Sequence, residues 1–233
     1  MVSNVISDLH VLASTDGSQC FPYYTYDEDG SNRRENITDW ALAQFQTACG
    51  ATVSKWDIFH YLYALLHHPG DRERYAENLR RELPRIPPPP DAETCTTLAQ
   101  AGRQLADLHL HYEQAKEYPL TWRENRDVPW TWRVERMKLS RDKTAVVVNE
   151  SLTLAGIPQA CFAYRLGNRS ALEWVIDQYR VKTDKRSGIT SDPNRADDPQ
   201  YIVRLVGQVV TVSVETVKLV EQIAAVDVVA SDG

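Results

Sequence analysis

The 233-residue chain is 42% apolar and 25% charged, with six Trp and eleven Tyr, which excludes a disordered or fibrous protein and is enough to bury a sizeable core. It has no apolar run of about 18 residues, and MVSNVISDLHVL lacks a secretory signal's basic and apolar regions, so the expected location is cytoplasmic. Net charge is −6, against a surface that is basic throughout, but residues 1–39 set seven acids against Arg33 and Arg34 and residues 192–233 set seven against three bases, leaving a middle of +3.

In chain order, short β-prone runs from Val5 to Tyr26 flank the turn-rich STDGS at 14–18 and predict a hairpin. DEDGSNRREN at 27–36 reads as a polar loop, after which Asn36 or Thr38 caps a helix beginning near Trp40. Ile58, Tyr61, Leu62, Leu65 and Leu66 repeat at helical spacing and predict a helix ending at His68-Pro69. DRERYAENLRREL predicts one surface helix, with Tyr75, Leu79 and Leu83 on its apolar side, stopped by Pro84. PRIPPPP at 84–90 is a stiff extended connector and reads as a lobe boundary.

A longer helix is expected from about Asp91 to Glu117, its buried seam formed by Leu98, Ala101, Leu105, Leu108 and Tyr112. Between Tyr118 and Glu150 the pattern shortens to β-like pieces, including 131–139 and 144–152, with Pro129 at an edge or turn, and predicts a small antiparallel sheet. A helix from Arg169 to Tyr179 follows Gly167 and Asn168, with Trp174, Ile176 and Tyr179 on its buried face. The polar stretch 180–199 is too long for an ordinary connector. In the tail, Ile202, Val206, Val209 and Val220 suit a helix, whereas Val210, Val212 and Val214 alternate as a strand does, and length favours the helix. The fold class is α+β, mainly helical with a small antiparallel sheet. Its expected parts are a hairpin junction at 1–36, a helical lobe at 37–90 and a third part at 91–233.

No catalytic or metal-binding motif stands out. GxxxxGK[ST] and GxGxxG are absent, and PPPPD at 87–91 lacks both the leading amide or acid and the ring of the amino-methyltransferase tetrapeptide. Cys20, Cys49, Cys95 and Cys161 are widely spaced and read as free, mostly buried thiols. His67-His68 and His109-x-His111 lack the same-face i, i+4 spacing of helical zinc ligands.

Two basic stretches carry more information. Residues 132–143 hold five bases against two acids, and 164–188 hold six against three, so each reaches +3. Arginine forks match guanine edges and phosphates, while Asn168, Thr183, Ser187, Thr190 and Asn194 add short donors and acceptors suited to base edges. The competing reading is a solvated face held by ion pairs such as Arg169 with Glu173.

Five strings, ITDWALAQF (37–45), DIFHYLYALLHHPGDRERYAENLRRELPRIP (57–87), AGRQLADLHLHYEQ (101–114), MKLSRDKTAVVVNESLTLAGIP (137–158) and YRLGNRSALEWVIDQYRVKTDKRSGITSDPNR (164–195), resemble the C-terminal specificity region of type ISP restriction-modification enzymes. They are more loosely similar to the corresponding part of single-chain type IIG enzymes. The resemblance implies a non-catalytic target recognition domain that selects a double-stranded DNA site and positions an adenine for a separate methyltransferase. Residues 1–26 are similar to the junction after that methyltransferase, so the chain is expected to be an excised fragment or a split reading frame. S-adenosylmethionine, ATP and Mg belong to the other parts, the methyltransferase and helicase-nuclease, which are the expected partners.

Base-reading positions vary with the target in such families, so no contact carries over from the resemblance. On physical grounds Lys138, Lys143, Arg180, Lys182 and Lys185 are assigned to phosphates, and Arg169, Arg186, Asn194 and Arg195 to bases. The alternative is a helical protein-interaction module that docks the other domains through residues 57–83. A standalone enzyme ranks third.

Overall fold

A computed structural model describes residues 2–4, 20–79 and 81–228. The hairpin predicted around 14–18 lies outside them. The chain forms two compact units, residues 1–110 with 219–233, and residues 111–218. The class is α+β and predominantly helical, with small antiparallel sheets.

Among the described residues of unit 1 the first element is a short hairpin, β1 (Tyr24–Thr25) and β2 (Arg34–Glu35), so the polar stretch expected as a plain loop is its turn. Thr38 caps α1 (Asp39–Cys49) by accepting from the Ala41 amide. Ser54 and Asp57 form a capping box that starts α2 (Lys55–Leu65). The surface helix expected after His68 is two pieces, α3 (Pro69–Arg74) and α4 (Ala76–Leu79), because Tyr75 leaves helical geometry at φ −107°, ψ 18°.

The unit's main helix, α5 (Ala92–Leu110), packs Cys95, Leu98, Ala101 and Leu105 with Ile58, Tyr61 and Leu65 of α2. The proline run is therefore a connector inside unit 1 rather than its boundary. The helix stops at Leu110 instead of Glu117; a 3₁₀ turn follows, and Tyr112 is exposed rather than part of the seam. Cys49 and Cys95 are joined as a disulfide with Cα atoms 5.9 Å apart, which corrects the expectation of four free thiols; Cys20 and Cys161 are free.

Unit 2 is built on a four-stranded antiparallel sheet in the order β3 (Thr121–Glu124), β6 (Leu152–Ala155), β5 (Ala145–Val147), β4 (Lys138–Leu139). Only the last two residues of the run 131–139 pair as a strand. Val146, Leu152 and Leu154 of the sheet share a core with Val134, Met137, Leu172 and the Leu205, Val206, Val209 and Val210 face of α7 (Tyr201–Ala224). A second hairpin, β7 (Arg165–Leu166) and β8 (Arg169–Ser170), turns at Gly167 and leads into α6 (Ala171–Gln178). A third, β9 (Lys182–Thr183) and β10 (Thr190–Ser191), occupies the polar stretch before α7. From Leu219 onward, α7 belongs to unit 1, where Ile223 enters the core.

Candidate nucleic-acid interface

All nine candidate residues fall in unit 2, which has 17 Lys and Arg against 14 Asp and Glu, or +3, whereas unit 1 has nine against 18, or −9. The basic character inferred for the middle of the sequence is thus a property of one folded unit. Segment 133–136 organises it. The Val181 amide donates to the Glu135 carbonyl at 2.9 Å, and Arg136 forms an antiparallel bridge with Arg180. The two basic stretches therefore run edge to edge.

The same segment holds the far end of the β9–β10 hairpin. Asn194 accepts from the Val134 amide at 2.8 Å and donates to the Val134 carbonyl at 2.9 Å, while the Arg133 guanidinium meets the Asp192 carboxylate at 2.9 Å. Segment 131–133 is fixed in turn by Asn149, whose amide donates to the Thr131 and Arg133 carbonyls at 2.9 and 3.0 Å. Both feet of the hairpin are clamped to one strip of backbone, and everything between them, residues 182–191, is exposed.

The turn of this hairpin is internally satisfied. Asp184 accepts from the Arg186 and Ser187 amides at 3.0 and 2.7 Å and from the Ser187 hydroxyl at 2.9 Å, contacts that hold its carboxyl below the usual range. Gly188 supplies the left-handed backbone at φ 71°. The Thr183 and Thr190 hydroxyls meet across the strands at 2.9 Å. These neutral donors fix the carboxylate in the loop and keep it ionised, so residues 182–191 carry three cations against one anion.

Among the described residues, Lys138, Lys182, Lys185, Arg186 and Arg195 make no salt bridge, and all five are exposed. Arg195 stacks over the Tyr201 ring, 3.3 Å from its centroid. The other three cations on the list are paired: Lys143 with Glu173 at 3.1 Å, Arg169 with Asp177 at 3.0 Å and Arg180 with the same Asp177 at 3.2 Å. One carboxylate facing two guanidiniums leaves that cluster positive. Arg169 does not pair with Glu173, because Arg169 precedes the Ser170 cap of α6 and an i, i+4 register does not apply to it.

Asn194, assigned to base reading, has both amide atoms engaged with the Val134 backbone. Trp174, expected to be buried, is 37% exposed; its indole donates to the Leu166 carbonyl at 2.9 Å, and Arg169 lies over its ring. Arg136 and Arg141, outside the candidate list, are exposed and make no salt bridge among the described residues. Their signal was present in the 132–143 run. Asn149 gave none, since its partners lie 16 and 18 residues away.

Among the described residues no group of three or more His, Cys, Asp or Glu is arranged to hold a metal ion, and no helix is long and apolar enough to cross a membrane. No curated protein matches the chain. Solved structures do match: a nuclease-deletion mutant of the Type ISP restriction-modification enzyme LlaGI in complex with a DNA substrate mimic (38% identity, TM-score 0.75, 94% of this chain and 19% of that one). The ATP-dependent Type ISP enzyme LlaBIII bound to DNA (32%, 0.81, 97% and 15%) and a DrdV–DNA complex (41%, 0.81, 94% and 22%) match as well. The chain spans about a fifth of the length of these proteins. The Type ISP C-terminal specificity domain model covers residues 1–205, reaching from unit 1 through the β9–β10 hairpin, and the chain belongs to that family.

Proposed function

We propose that this chain is the DNA-reading part of a restriction-modification enzyme: it grips a duplex through unit 2, selects the sequence, and presents an adenine to a methyltransferase domain outside this chain. The observation that carries this reading is the clamped, fully exposed β9–β10 hairpin, whose Lys182, Lys185 and Arg186 make no salt bridge among the described residues, Lys182 having Asp177 only at longer electrostatic range. A cation already neutralised by a neighbour releases few counterions from DNA, whereas an unpaired one contributes fully. Support also comes from the similar enzymes, which were solved on DNA. Lys138 and Arg195 extend the phosphate-contacting set, and Lys143, Arg169 and Arg180 contribute only after exchanging Glu173 or Asp177 for a phosphate.

Reversing the charge of Lys182, Lys185 and Arg186 together tests the proposal by fluorescence titration of duplex DNA at about 50 mM salt, where phosphate contacts are strongest. Binding should fall more than about tenfold, and sequence-dependent adenine methylation by the full-length enzyme should be lost. The three side chains are exposed, so the melting temperature should hold. Unchanged binding and methylation would assign the chain to docking the enzyme's other domains instead.

A further inference from the structure

The geometry points to the β9–β10 hairpin as a two-stranded ribbon that enters the major groove of B-form DNA, with Ile189 touching the 5-methyl group of a thymine. This rests on the DNA-reading function proposed above and specifies how that site reads. Packing gives the first argument. A hairpin alone is marginal in water, and residues 182–191 are exposed on both faces, so among the described residues no sheet or helix supports them. The hairpin's feet are fixed by the Glu135–Val181 hydrogen bond and the Asn194–Val134 pair, leaving the blade to be covered by something else.

Dimensions give the second. Strands about 4.8 Å apart, with side chains on both sides, fit a groove about 12 Å wide and not one about 6 Å wide. Arms of roughly five residues reach about 16 Å, beyond the major groove's depth of about 8.5 Å.

Chemistry gives the third. Lys182, Lys185 and Arg186 suit groove walls and guanine edges, and the one acid of the blade, Asp184, is folded into its own turn. Ile189 pairs with Asp184 beside the tip and is 70% exposed, although isoleucine is among the side chains most often buried. On a base edge in the major groove, the apolar group available to it is the thymine methyl.

The test uses this chain, its Ile189→Ala variant and a duplex that the wild-type chain selects from a random pool at about 50 mM salt. Replacing thymine by deoxyuridine removes only that methyl and should weaken wild-type binding about fourfold per contact, while the variant should bind both duplexes alike. Methyl green, which occupies the major groove, should displace the chain. Displacement by distamycin alone, or a variant that keeps the thymine–uridine difference, would overturn the groove assignment while leaving DNA reading intact. Failure to retain any duplex would overturn both.

Discussion

The Ser170 hydroxyl, wholly buried, accepts from the Glu173 amide at 3.3 Å, and the Glu173 carboxylate accepts from the Ser170 amide at 2.9 Å and reaches Lys143. The Ser170 amide, chiefly, and Lys143 bring the Glu173 pKa down from 4.5 to about 2. A carboxyl whose folded pKa is depressed stabilises the fold fully above its ordinary value, so this contribution is complete above pH 4.5 and disappears as pH falls toward 2. Ser170→Ala should cost about 1 kcal/mol by loss of the cap, read by thermal unfolding at pH 7, and Glu173→Gln should flatten the stability loss between pH 4.5 and 2. The serine-to-glutamate spacing of this box is visible in the sequence. What Asn194 does is not, because its partner Val134 lies 60 residues away. Asn194→Ala should therefore speed hydrogen exchange at Val134 and through 182–191 in the full chain, whereas a side chain engaged only with DNA would leave free-chain exchange unchanged. The Cys49–Cys95 disulfide was equally hidden by a separation of 46 residues; thiol titration in denaturant should count two groups before reduction and four after.

Helices α2 and α5 show what a hydrophobic pattern tells and what it omits. Periodicity identifies both, and Leu98, Ala101 and Leu105 are buried as expected. How closely the helices approach depends on Gly102, where an added Cβ would sit 1.8 Å from the His60 carbonyl oxygen and 3.1 Å from the Ala64 nitrogen. Backbone cannot swing aside as a side-chain tip can. Gly102→Ala should cost at least about 3 kcal/mol and lower the denaturation midpoint monitored through Trp56; an unchanged midpoint would mean that the helices do not touch there. The mixed signal of the C-terminal tail has a related cause. Between Tyr201 and Val210 only Arg204 is not buried, so α7 is covered on nearly all sides in this stretch, and its 3.6-residue rhythm is carried by a thin polar stripe, Arg204, Gln208, Thr211, Glu215 and Lys218, over which the valine alternation is laid. Val212 and Val214, which imitate a strand, are buried on that same helix. The β9–β10 hairpin was unreadable for the opposite reason: it has no buried face, and alternation is written only by burial.

At the scale of the whole molecule, the charge totals separate two kinds of surface. Under the proposed function a chain of −6 must bind DNA locally, and a charge of +3 on unit 2 against −9 on unit 1 is the form that locality takes. The salt dependence of binding measures how local it is. If the five candidate cations without salt bridges, Lys138, Lys182, Lys185, Arg186 and Arg195, each neutralise one phosphate and Arg136 and Arg141 neutralise none, log K should fall with log salt at a slope of about −4.5. Raising salt from about 50 to about 200 mM would then cost roughly 500-fold in affinity. Lys143, Arg169 and Arg180 would steepen that slope only by leaving Glu173 and Asp177. Glu173→Gln combined with Asp177→Asn removes that competition and should drive the slope toward about −7, with tighter binding at every salt concentration. A slope near −4.5 in both proteins would confine the footprint to the hairpin and its immediate flanks. A slope shallower than about −2 in both would mean that the unpaired cations do not face phosphates, and the charge separation between the units would then have to be explained by a protein surface rather than by a duplex.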